Sequence, residues 1–144
     1  MIYFEDMAKE INWTKQLRNL EKYCIKKGFT VIYKSVDSDS IYLDEKKIVI
    51  STSHNDEIAF YSLLHEMGHA VLVNRKETYE KQYNSIFENF NGRSLVYKVT
   101  ILFEELDAWK EGLKLAKTLN LKVDRRKYEI NKAKCLSTYI NWIK

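Results

Sequence analysis

The chain has 144 residues, of which 45% are hydrophobic and 31% charged, with no proline and four glycines. That profile excludes a disordered chain and a membrane-embedded one, and the length suits a single domain over residues 1–144 that buries a core without staples. A net charge of +4 is spread along the whole chain, and its densest basic group, Arg125-Arg126-Lys127 with Lys132 and Lys134, reads as the wet face of a helix, so nucleic acid is not an expected partner.

Met1 to Asn12 carries acidic residues where a secretion signal needs a basic start and an apolar run. From about Phe4 to Lys27 the spacing of Ile11, Leu17, Leu20, Tyr23 and Cys24 predicts a helix that Gly28 stops. Phe29 to Lys34 is β-branched and aromatic and reads as a strand. Ile41 to Leu43 and Ile48 to Ser51, joined by a charged turn, read as a hairpin, giving a small antiparallel sheet of about three strands.

A helix is predicted from about Asn55 to Arg75, with Ser53 or Asn55 as N-cap and Asp56 and Glu57 in its first turn. It is apolar nearly all round, which predicts a central, buried position. Residues 76–92, polar and aromatic with Tyr79, Tyr83, Phe87 and Phe90, read as loop and irregular helix ending at Asn91-Gly92 and are expected to form one wall of the cleft. A long helix follows from about Ser94 to Leu119. The last helix, capped by Asp124, runs from about Arg125 to the end with Tyr128, Cys135, Leu136, Tyr139 and Trp142 inward. The longest strongly apolar stretches, such as Val99 to Phe103, are far too short to span a bilayer. Cys24 and Cys135 form no Cys-x-x-Cys pattern and are expected as reduced thiols, in keeping with a cytoplasmic protein.

The central helix carries His65-Glu66-Met67-Gly68-His69, which spends two of the three histidines on one turn. Residues four apart share a helix face, so both imidazoles can address one tetrahedral Zn²⁺. Glu66, between them, is placed to take a proton from water that the metal acidifies. His54 lies three turns upstream, roughly 16 Å along the axis, and is not expected in the same set.

A third ligand has to be acidic, and the long helix offers Glu104, Glu105 and Asp107. Ile101, Glu105, Ala108, Gly112 and Ala116 form one stripe, and three of these residues are small. Small residues let helix backbones approach, and Gly68 lies beside the histidine face of its own helix. The two helices are therefore expected to cross at Gly68 and the Ala108–Gly112 stripe, with Glu105 as metal ligand. Glu104 and Asp107 are turned toward solvent or toward supporting a ligating histidine from outside.

With this motif and layout the chain resembles the ImmA/IrrE family of HExxH zinc metallopeptidases over about Ile41 to Leu119. Glu105-Leu106-Asp107-Ala108 matches the family's Glu-x-x-Ala, which also points to Glu105, whereas Trp109 stands where the family has Asn or Asp. An indole donates but does not accept hydrogen bonds, so support of a histidine has to come from elsewhere, Asp107 being one source. The resemblance implies a zincin-like α+β fold and a cytoplasmic peptidase of phage or mobile-element type. Its substrate would be a protein, in known members a transcriptional repressor.

The expected chemistry is peptide hydrolysis with His65, His69 and Glu105 holding Zn²⁺ and Glu66 as general base. Tyr61 and Tyr97 are the candidate oxyanion stabilisers. Strand Ile48 to Ser51 is the candidate edge for adding an extended substrate. The alternative is a zinc-binding interaction module with little or no hydrolysis, motivated by the small size and by Trp109.

Overall fold

A computed structural model describes residues 11–144. Helix α1 (Trp13–Lys26) starts later than expected, because Asn12 takes an extended backbone and caps it, its side chain accepting from the Lys15 N–H. The part of the expected helix before Ile11 lies outside the described residues, as does most of the Met1–Asn12 stretch. Gly28 (φ +92°) ends α1 as predicted. Its N–H reaches the Ile25 carbonyl at 2.9 Å and the Phe29 N–H reaches Cys24 at 3.0 Å, the paired bonds of a Schellman stop.

Three strands follow: β1 (Thr30–Lys34), β2 (Ser40–Tyr42) and β3 (Lys47–Ser51). The hairpin β2–β3 is antiparallel, but β1 pairs β3 in parallel from Thr30↔Lys47 to Lys34↔Ser51, so the sheet is mixed, in the order β1-β3-β2. The expected all-antiparallel sheet is thereby corrected. Ser35 to Asp39 carries the chain past β3 before the hairpin turns back, which puts the most apolar strand in the middle. Ile48, Val49 and Ile50 are all buried there.

Helix α2 (Asp56–Asn74) starts at its N-cap Asn55, whose side chain accepts from the Ile58 N–H. It packs between α1 and the sheet on one side and α5 (Leu95–Thr118) on the other. Residues on all its faces are buried, including Phe60, Leu63, Leu64 and Met67, as its near-continuous apolar character predicts. Between α2 and α5 lie two short helices, α3 (Lys76–Tyr79) and α4 (Ser85–Asn89), joined by a π-helical turn over Glu80–Asn84.

The last helix, α6 (Arg125–Ile143), is capped by Asp124, whose side chain accepts from the Lys127 N–H. It buries Tyr128, while Cys135, Leu136 and Tyr139 are half-buried. Trp142, expected inward, is 44% exposed, with Lys98 Nζ over its ring. The chain is therefore α+β. Both cysteines are free, and among the described residues no helix is long and apolar enough to cross a membrane.

Candidate metal centre

The site begins with a backbone contact. A Cβ on Gly68 would fall on the carbonyl oxygen of Ala108 and 3.1 Å from the Gly112 nitrogen; one on Gly112 would stand 2.6 Å from the Leu64 carbonyl oxygen. Only glycines allow α2 and α5 to lie this close. The crossing inferred from the small-residue stripe is thus present, and it brings Glu105 over the histidine face of α2.

His65 Nε2 lies 2.7 Å from Glu105 Oε2, His69 Nε2 lies 3.2 Å from the same oxygen, and the two ring nitrogens are 3.1 Å apart. Tetrahedral zinc with ligand bonds of 2.0–2.1 Å keeps its donors about 3.3 Å apart, close to these separations. Three donor atoms clustered this closely, two of them imidazole nitrogens, form a set suited to a divalent cation. All three residues are at least nine-tenths buried.

The electrostatics favour positive charge at this cluster. Burial alone would lower the His69 pKa, but Glu104, Glu105 and Glu66 outweigh it and lift it to about 10. Burial likewise opposes ionisation of Glu105, yet its contacts with His65 and His69 hold it well below the usual carboxylate range. Glu66 behaves differently. Burial pushes its carboxyl up, His65 and His69 oppose this, and Glu105 and Asp39 add to it. A carboxyl whose pKa burial raises holds a proton more readily than an exposed one, which suits it to accepting and returning one.

Around the donors, other side chains fix the geometry. Tyr139, on α6, donates to Glu105 Oε1 at 2.7 Å, leaving Oε2 for the histidines. Glu104 turns its Oε1 to His69 Nδ1 at 3.4 Å. Asp107, expected as one source of this support, instead accepts a short hydrogen bond from Tyr83. Trp109 stacks on the His65 imidazole, with ring centroids 4.3 Å apart and planes within 9°. It walls the histidine rather than holding its tautomer. The buried indole Nε1 has no oxygen or nitrogen acceptor among the described residues, and the Cys135 thiol is the group it faces. Nearby, burial pushes the Cys135 thiol up to about 11.

The centre opens into a cleft of about 710 Å³ lined by Asp39 and Ser40 before and on β2, His54, Glu66 of α2, and Asn131 and Thr138 of α6. His54 is outside the donor set, as expected, but it lines this cleft, with its Nε2 held 2.8 Å from Asp39 Oδ2. Both proposed oxyanion stabilisers lie elsewhere. Tyr61 is buried in the core, donating to Glu57 at 2.8 Å and accepting from the Asp124 N–H at 3.2 Å. The Tyr97 ring packs on Phe87 and is not among the cleft residues. Strand β3 is paired on both sides, so it offers no edge for an added strand; β2 is the edge next to the cleft.

Tyr79, from the segment expected along one wall of the cleft, does line it and donates to Glu104 Oε2 at 2.7 Å, whereas Tyr139 is a site residue that the sequence does not reveal. Helical spacing marks Tyr139 as core, and only the α5–α6 packing turns its hydroxyl to Glu105. No family model, no curated protein and no solved structure matches the chain.

Proposed function

We propose that the chain is a zinc-dependent peptidase of zincin-like type, related to the ImmA/IrrE proteins, acting on a protein or peptide substrate. One observation carries this reading: His65 Nε2, His69 Nε2 and Glu105 Oε2 cluster beside the buried carboxyl of Glu66, at the floor of an open cleft. His65, His69 and Glu105 would hold the metal. When bound, Zn²⁺ supplies Lewis acidity, polarising a carbonyl and bringing a water's pKa toward neutrality.

The chain's own residues supply the rest. Glu66 takes a proton from the water that attacks the peptide carbonyl carbon. It returns that proton to the nitrogen as the C–N bond breaks. Tyr139 and Glu104 keep Glu105 and His69 oriented through both steps. An extended peptide laid antiparallel or parallel along the edge strand β2 would pass over the cleft, with main-chain hydrogen bonds holding it in register.

The test separates hydrolysis from mere binding. Wild-type protein loaded with one equivalent of Zn²⁺ is screened for cleavage of candidate proteins beside Glu66→Gln. Cleavage lost by at least about 10³-fold with zinc content unchanged supports the proposal. An interaction module would keep its biological effect in Glu66→Gln, and that outcome would reject the enzyme.

A further inference from the structure

Two tyrosines of the segment between α2 and α5 reach across to carboxylates of α5. The Tyr79 hydroxyl donates to Glu104 Oε2 at 2.7 Å, and the Tyr83 hydroxyl donates to Asp107. Their rings lie against each other, with centroids 5.0 Å apart. Tyr79 directly precedes the π-helical turn Glu80–Asn84 and Tyr83 lies within it, a widened turn of a kind that recurs at functional sites. Glu104 and Asp107 are three residues apart on α5 and so face the same side. The segment is thus clasped to α5 at two points.

The two points differ in what lies behind them. Glu104 spends Oε2 on Tyr79 and turns Oε1 to His69 Nδ1, whereas Asp107 has no ligating histidine beyond it. For His69 Nε2 to offer a lone pair, the ring proton must sit on Nδ1, where a carboxylate holds it and makes the ring a better donor. A carboxylate that is itself pinned by a hydroxyl cannot rotate away from that proton.

We propose that Tyr79 and Glu104 form a positioning relay, Tyr79–Glu104–His69, through which the segment from Lys76 to Asn89 sets the metal affinity of the centre. The inference rests on the metal-binding reading above and adds a dependence on a peripheral hydroxyl. Tyr83, the companion clasp, is not part of the relay.

The experiment measures Zn²⁺ dissociation constants by competition with a chromogenic chelator, on the 144-residue chain with its fold checked by circular dichroism. Glu104→Gln should weaken zinc binding about 10–100-fold. Tyr79→Phe should weaken it several-fold, and Tyr83→Phe should leave it unchanged. In a Glu104→Ala background, Tyr79→Phe should have no further effect, because its route to His69 is gone.

The relay is overturned if Tyr79→Phe or Glu104→Gln binds zinc like wild type. It is equally overturned if Tyr83→Phe matches Tyr79→Phe, or if the Tyr79→Phe loss persists without Glu104, since either result marks general packing. Failure of the wild type itself to take up zinc is a separate result, which would remove the metal-binding reading and the relay with it.

Discussion

Gly68 and Ala108 meet backbone to backbone: a methyl group on Gly68 would overlap the Ala108 carbonyl, whose carbon would be only 2.8 Å away. Because the obstacle is main chain rather than a flexible side-chain end, it cannot step aside. Gly68→Ala gains about 1 kcal/mol in helix propensity, against an overpacking cost of about 1–3 kcal/mol or more. The cost should win. The variant is expected to lose about 2 kcal/mol in urea unfolding and to bind zinc more weakly, because α2 and α5 must separate. A variant as stable as wild type would show that the helices are not this close.

Zinc should stabilise the fold. The native state presents a preformed donor set that the unfolded chain lacks, so free Zn²⁺ at about 1,000 times its dissociation constant is expected to add about 4 kcal/mol. Thermal unfolding with zinc and with chelator measures this as an upward shift of the midpoint. Glu105→Ala should abolish the shift, and Glu104→Ala should only reduce it. Loss of the shift in Glu104→Ala with its retention in Glu105→Ala would exchange the roles of the two residues.

Tyr139 ties the C-terminal helix to the centre by its 2.7 Å bond to Glu105 Oε1. Tyr139→Phe keeps the ring and removes only that bond. Zinc affinity is expected to fall about tenfold, with a stability change of about 1 kcal/mol. Isothermal titration of zinc into the two proteins checks it. Equal affinities would reduce Tyr139 to a packing residue.

The parts of this site that depend on one helix, or on two helices in contact, were legible in the sequence. His65, Glu66 and His69 follow from helical spacing. Gly68 and Gly112 inside strong helical patterns announce close contact, and that contact selects Glu105 over Glu104. The sheet was less legible, since a hairpin says which strands adjoin in sequence but not where a third inserts. Its signal was nonetheless present: the unbroken apolar run Ile48-Val49-Ile50 marks a strand covered on both faces, hence a central one. The tyrosines were least legible. Ten of them carry no periodic mark that separates core from site, and the π-helical turn resets the phase of residues 76–89. Tyr61 and Tyr97 stand on the two ligand-bearing helices, α2 and α5, yet lie outside the cleft, whereas Tyr79 and Tyr139 reach the centre from other elements.

A bidentate ion pair also joins the same two helices. Arg75, at the C-cap of α2, donates through two nitrogens to the two carboxylate oxygens of Glu111 on α5, at 2.8 and 2.9 Å. Burial would raise the Glu111 pKa, but Arg75, with help from Lys114, holds it below the ordinary carboxylate value. A carboxylate depressed in the folded state favours folding above its unfolded pKa of about 4.3, and that contribution is lost as pH falls through the folded value. Arg75 is half exposed, so solvent screening limits the contribution to about 1 kcal/mol at pH 7. Glu111→Gln should therefore be less stable than wild type at pH 7, with the gap closing as pH drops from about 5 toward 3. Urea unfolding across that range measures both proteins. Parallel curves at every pH would mean that the pair does not couple protonation to the contact between α2 and α5, whereas convergence at low pH would identify Glu111 as one of the carboxylates whose protonation loosens it.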